Sequence, residues 1–290
     1  MPLKKDEWLA LEKKAFELRN LCLDTTYWAG SGHIGGGMSV MDMMTVLYHK
    51  YMRLDKNNPN WEDRDRFVMS KGHAGIAYAP VLVDFGFNDP EQLKTFNLTN
   101  SKMGIHLDAN KVVGVDASTG SLGHGMSLAA GMALAARMKG KDYKTYCILG
   151  DGECDEGSNW EAAMTIAHYK ITNLICFVDR NKCMIDGRTE DVMKLEPFCD
   201  KWRAFGFEVK DIDGNNISEL CDAIDEALAN TGDKPYMIVA NTLKGCCIDF
   251  MEDDYHWHYG ALNEEKYEQA KKSLEAAYKK RCERAQKEGL

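Results

Sequence analysis

The chain has no apolar run approaching the roughly 20 residues that a membrane-spanning helix requires, which excludes a helical membrane protein. Met1 to Trp8 is polar and charged with no apolar leader core behind it, so a cytoplasmic location is expected. Basic charge is also scarce: 36 Lys and Arg stand against 45 Asp and Glu, a net charge of -9, which argues against a nucleic-acid partner. The ten cysteines include no Cys-x-x-Cys pair and no ligand-like rhythm. Reduced thiols are expected, with Cys147 and Cys176 inside apolar strands. Internal repeats and low-complexity linkers are missing too. With 290 residues, 44% of them apolar, the expectation is one α/β domain spanning 1–290 with a full core.

Trp8, Leu11, Ala15, Leu18 and Cys22 recur at helical spacing and predict an opening helix that ends near the glycines at 30 and 32. Gly30 to Gly37 reads as a glycine-rich loop, and a second helix is expected after Ser39, with Asp42 completing a capping box. A strand is expected at Phe67 to Met69, followed by Ser70 to His73. Asp89-Pro90 reads as a helix start. The loop Thr119 to Gly125 should run into an alanine-rich helix over 126–138. Strands are predicted at Thr145 to Leu149 and Leu174 to Val178, joined by a helix capped by Ser158 and Glu161. Further strands at Phe207 to Lys210 and Tyr236 to Ala240 extend the alternation. The fold class implied is a doubly wound, mostly parallel sheet with helices on both faces. A charged helix with a thin stripe of Tyr267, Leu274 and Tyr278 is expected over about 262–290.

Asp151 and Asn181 each sit just past one of two neighbouring predicted strands. In an open parallel sheet ligands gather beyond the carboxyl ends of the strands, so two hard oxygen ligands there point to a cation-bridged phosphate site. Gly152, without a Cβ, allows close backbone approach. The segment Gly30 to Gly35 fits a dinucleotide-binding pattern but follows a helix rather than a strand, which rules against that use.

The motifs Ser31-Gly-His33, Asp65-Arg-Phe-Val-Met-Ser-Lys-Gly-His73, Gly104-Ile-His106, Thr119-Gly-Ser-Leu-Gly123, Gly150-Asp-Gly-Glu-Cys-Asp-Glu-Gly157, Asn181-Lys182, Lys244-Gly and Trp257-His258 occur in this order. Together they resemble the transketolases among thiamine diphosphate enzymes, over about residues 5 to 262. The resemblance implies the diphosphate-binding (PP) fold, with Asp151, Asn181 and the main-chain carbonyl of Cys183 holding Mg2+ (or Ca2+ or Mn2+) against the cofactor. It implies that His33, His106 and His258 bind the reacting oxygens, and that His73 and Gly152 contact the diphosphate. Lys71, Lys244 and His258 would add positive charge and donors. Gly120, Leu122 and Ile185 would lie along the cofactor, and Glu156 would sit at a subunit contact.

In that family the cofactor's pyrimidine and the sugar's anionic end are held by further domains, which are expected to belong to a separate chain. The resemblance is therefore to the N-terminal subunit of a split transketolase. It implies a C-terminal partner subunit carrying the pyrimidine-binding and C-terminal domains, an α2β2 assembly, and two-carbon ketol transfer from a ketose phosphate to an aldose. Pentose phosphate metabolism is the default pathway, with a specialised ketose open. Alternatives are the α-subunit of a 2-oxoacid dehydrogenase E1 component, or a non-catalytic remnant.

Overall fold

The computed structural model describes residues 3–289; Met1, Pro2 and Leu290, which end the expected domain and its last helix, lie outside the described residues. In chain order the elements are α1 (Lys5–Ala29), α2 (Ile34–Val46), β1 (Arg66–Met69), α3 (Gly75–Asp84), α4 (Gly125–Met138), β2 (Thr145–Gly150) and α5 (Gly157–His168). They continue with β3 (Leu174–Arg180), α6 (Thr189–Val192), α7 (Phe198–Ala204), β4 (Glu208–Asp213), α8 (Ile217–Leu228), β5 (Tyr236–Asn241) and α9 (Glu264–Glu288). The sheet order is β1-β2-β3-β5-β4, and each pairing is parallel.

β1, β2, β3 and β5 are buried on both faces while the edge strand β4 is largely exposed, so the alternate side chains of the inner strands feed two separate cores. Tyr146, Ile148, Ile175 and Phe177 pack with α1, α2, α3, α8 and α9. Cys147, Leu149, Cys176 and Val178 pack with α4, α5 and α7 on the other side, where Phe198 and Trp202 are fully covered. Small residues let α4 approach the sheet: Ala129, Ala130 and Ala133 all lie in that second core. The charged α9 is held on α1 by Leu274, whose burial contributes about 2 kcal/mol. Stacked pairs Phe16–Tyr278 and Tyr27–Tyr267, with centroids 4.6 and 4.4 Å apart, extend that seam.

Three local expectations change. α2 begins at Ile34, five residues before the expected cap, so Ser39 and Asp42 lie inside the helix. The glycines at 35 and 37 are there for packing rather than for a loop. A Cβ on Gly35 would meet the Trp257 carbonyl oxygen at 2.5 Å, and one on Gly37 would meet Ile76 at 3.0 Å. Likewise α5 starts at Gly157, and the Ser158 hydroxyl donates to the Gly123 carbonyl (3.0 Å) instead of forming a box with Glu161. Asp89 caps a single 3-10 stretch, Pro90–Thr95, rather than an α-helix.

Because β1, β2, β3 and β5 run the same way, the loops beginning at Ser70, Asp151, Asn181 and Thr242 leave the sheet along one edge. The register Gly150↔Asp179 brings the second and third of these side by side.

Candidate active site

These loops, the start of α2, the turn around Gly120 and the segment at His258 enclose a cavity of about 390 Å3. All the residues singled out from the sequence line it except Glu156, which caps α5 and is exposed.

At the sheet edge the Asp151 carboxylate is almost fully buried. It accepts from the Gly152 N–H (2.8 Å) and, across the gap, from the Lys182 N–H (2.6 Å). Lys182 adopts a left-handed φ of 60°, which reverses the chain so that Cys183 pairs back with Arg188. The Asn181 amide oxygen accepts from the Cys183 N–H at 3.1 Å, and a carbonyl oxygen retains a second lone pair. The Cys183 carbonyl accepts from the Lys244 ammonium at 2.9 Å. A carboxylate, an amide oxygen and a main-chain carbonyl thus come from residues lining one cavity, a donor set suited to a hard divalent cation.

Electrostatics supports that fit. Burial, reinforced by the Asp179 carboxylate, pushes the Asp151 carboxyl up to about 6. The site carries negative charge that protein donors leave under-compensated, and a bound cation would relieve it. Lys244 is a cationic group that acts on Asp151. Burial lowers its ammonium to about 8, despite the carboxylates and the Cys183 thiol nearby.

Three imidazoles cluster in the same cavity. Ring centroids lie 5.0 Å apart for His33 and His73, 5.3 Å for His33 and His258, and 5.3 Å for His73 and His258. Burial first, then neighbouring cationic groups, holds His33 down to about 4, His258 down to about 3, and His73 well below its ordinary range. All three are therefore neutral near pH 7. Lys244 stands 3.1 Å from His258 Nδ1, and an ammonium only donates, so the proton of His258 belongs on Nε2. The His33 Nδ1 is buried without a partner, a polar atom left open for a ligand. His106 packs beside Gly120, where a Cβ would come within 3.1 Å of its ring.

Beneath this layer lies a network that the sequence motifs do not reveal. Asp179 accepts from Ser39 Oγ (2.6 Å), from Lys71 and from Thr242. Lys71 also donates to the Gly36 carbonyl at 3.0 Å, which ties α2 to β3. Glu153 accepts from Ser70, from the Gly123 N–H (2.9 Å) and from the Gly150 N–H (3.0 Å), so one carboxylate fixes three loops. A signal for Asp179 was available: it is a charged residue near the end of an otherwise apolar buried strand. Glu153 lies inside the Gly150 to Gly157 motif, but its contacts are non-local and no spacing exposes them.

The family profile described as "Transketolase, thiamine diphosphate binding domain" matches residues 11–283, and the chain belongs to that family. It is 42% identical to the 6-deoxy-6-sulfo-D-fructose transketolase subunit SqwG of Clostridium sp. (strain MSTE9), over 93% of this chain and 98% of that one. It is 38% identical to an apulose-4-phosphate transketolase subunit of Phocaeicola vulgatus, over 96% of this chain and 97% of that one. Among solved structures, the transketolase from Campylobacter jejuni subsp. jejuni superposes with a TM-score of 0.85 at 31% identity. That match covers 96% of this chain but 46% of the solved one, so the chain spans less than half the length of that transketolase.

Proposed function

We propose that this chain is the diphosphate-binding subunit of a two-subunit transketolase, moving a two-carbon ketol unit from an anionic ketose to an aldose acceptor. The observation that carries this reading is the convergence of Asp151, Asn181 and the Cys183 carbonyl with three neutral imidazoles in one cavity at the carboxyl edge of the sheet. In this reading Asp151, Asn181 and Cys183 hold Mg2+, or Ca2+ or Mn2+ in its place, against the diphosphate of thiamine diphosphate. Lys244 yields the Cys183 carbonyl to the ion and serves the diphosphate with His73, Lys71 and the Gly152 backbone. Gly120, Leu122 and Ile185 border the ring of the cofactor. When bound, the cofactor supplies the electron sink that lets a carbon–carbon bond beside a carbonyl break and re-form.

The chain's own contribution is orientation and proton handling. His258 offers its Nε2–H to a substrate oxygen, His33 offers the unpaired Nδ1, and His106 lines the same cavity. A neutral imidazole can donate or accept without bringing charge, which suits oxygens that alternate between hydroxyl and carbonyl.

The relatives that this chain covers nearly end to end are themselves called subunits. They support a complementary polypeptide carrying the pyrimidine-binding and C-terminal domains, with Glu156 at a subunit contact in an α2β2 assembly. The names of those relatives favour a specialised ketose over the pentose phosphate default. Ten free cysteines agree with a cytoplasmic setting. The test is co-expression with the complementary polypeptide, followed by two-carbon transfer assays from xylulose 5-phosphate and from 6-deoxy-6-sulfofructose. Turnover by the mixture alone is expected. Turnover by this polypeptide in isolation would contradict the shared-site account.

A further inference from the structure

Two residues beyond Lys244, lining a different cavity from the imidazoles, lies a pair of adjacent thiols. Cys246 Sγ and Cys247 Sγ are 3.5 Å apart. Arg19, itself 2% exposed, donates toward Cys246 Sγ at 3.8 Å, and Arg281 lines the same region. Both thiols border a cavity of about 720 Å3 whose rim carries Lys280 and Arg284. Cys247 also borders a second space of about 10 Å3 that it shares with Arg19 and Arg281. That volume is about one water-sized probe. Arg19 lines this space, and its Nε is buried without an acceptor.

We propose that Cys246 and Cys247 form a hydroperoxide-reactive thiol site in which Cys247 is oxidised first and Cys246 resolves it. The Cys247 thiolate attacks one peroxide oxygen, the O–O bond breaks, and the leaving hydroxide takes up a proton as water. The new sulfenic oxygen fits the small space and gives Arg19 Nε the acceptor it lacks. The Cys246 sulfur then attacks the Cys247 sulfur, the S–O bond breaks, and the hydroxyl leaves as water with the Cys246 proton. Two thiols lose two electrons and two protons, and one hydroperoxide is reduced.

The order follows from the surroundings. The hydrogen bond from Cys246, aided against burial by Arg19 and Arg281, lowers the Cys247 thiol to about 6, while the Cys246 thiol is raised. Asp42 and Glu252 oppose this, but Asp42 is matched by both guanidiniums and Glu252 is occupied by the Cys247 N–H. Burial pushes the thiols of Cys22, Cys176 and Cys221 up instead. A thiolate beside guanidinium and a resolving cysteine is the setting in which such oxidation is selective.

A bridge between adjacent residues spans Cα atoms about 3.8 Å apart, below the usual disulfide range of about 4.4–6.8 Å, so it is strained and readily reduced. The backbone must shift to close it. Cys247 already has a left-handed φ of 74°, and the Cys246 N–H donates to the Leu243 carbonyl at 3.1 Å across Lys244, so the shift is transmitted to the turn that carries Lys244. This last consequence rests on the cofactor reading, whereas the thiol chemistry does not.

The test treats the purified full chain with a few equivalents of hydrogen peroxide and follows intact mass, peptide maps and cofactor binding. Loss of two hydrogens, reversed by dithiothreitol and mapped to Cys246–Cys247, is expected. C246S should accumulate a dimedone-trapped sulfenate at Cys247, and C247S should react at least about tenfold more slowly. First labelling at another cysteine, or an unchanged rate in C247S, overturns the site. In the assembled enzyme, oxidation should weaken thiamine diphosphate binding at least threefold. An unchanged affinity with the bridge formed would overturn the coupling alone.

Discussion

Two clusters of buried charge flank α2, and they are built on opposite plans. On one side Asp42 receives Arg19 through both carboxylate oxygens (2.9 and 2.7 Å), Arg281 at 2.8 Å and Asn215 at 3.0 Å. Arg281 is also matched by Glu12 at 2.5 Å. Buried as it is, Asp42 is held below its ordinary range because the guanidiniums outweigh desolvation. On the other side Asp151 is equally enclosed, yet it is pushed up to about 6, because only backbone N–H groups and a more distant Lys244 answer it. The Asp42 cluster closes its own charge balance. The Asp151 cluster leaves part of its balance open, as the proposed cation site requires.

The largest expected effect breaks the closed cluster. Asp42→Ala strands the buried Arg19 guanidinium and leaves Arg281 with Glu12 alone, and should cost about 3–5 kcal/mol, a fall in Tm on the order of 10 °C by calorimetry. Asp151→Ala should differ in kind. Losing an under-compensated carboxylate offsets the loss of two acceptors, so stability at pH 7.5 should move by less than about 1.5 kcal/mol. Magnesium-dependent retention of thiamine diphosphate should meanwhile fall at least about 100-fold by titration calorimetry. A loss of stability equal to that of Asp42→Ala would erase the contrast.

The pH dependence sharpens the comparison. An ion on Asp151 must displace a proton below about pH 6, so cation affinity should rise as pH climbs through 6 and level off above 7. For stability the signs differ by group. The depressed His33 and His258 stabilise the fold fully above 6.5, and that contribution is lost as pH falls towards about 4. The raised Asp151 does the reverse, costing stability as pH rises from 3.8 through 6. The lowered Asp42 contributes above 3.8 and loses its effect only below that value. Urea titrations of wild type and Asp42→Ala from pH 4 to 8 should therefore run parallel above about pH 5. The smallest effect is Ser39→Ala, which removes one donor from Asp179 and should cost about 1 kcal/mol in the same titration.

How far these features were readable before the structure depends on their range. Strand placement and the position of Asp151 and Asn181 just after β2 and β3 followed from short apolar runs and position along the chain, both local properties. The same holds for the motif residues that now share one cavity. The α2 start was not readable, because three glycines signal a loop unless it is known that Trp257, Lys244 and Ile76 press against them. The Ser158 hydroxyl misled for the same reason: its partner, the Gly123 carbonyl, is 35 residues away. Asp42 and Arg281, separated by 239 residues, leave no trace of their pairing in sequence pattern. What pattern conveys is which chemistry is present, and what it omits is which charges have already found partners.

The most direct test is anomalous diffraction from crystals of this chain with its complementary polypeptide, Mn2+ and thiamine diphosphate. The prediction is one manganese peak within about 2.3 Å of an Asp151 carboxylate oxygen, the Asn181 amide oxygen and the Cys183 carbonyl oxygen, with Lys244 moved off that carbonyl. A bound cofactor with Lys244 still on Cys183 and the metal elsewhere would contradict the account.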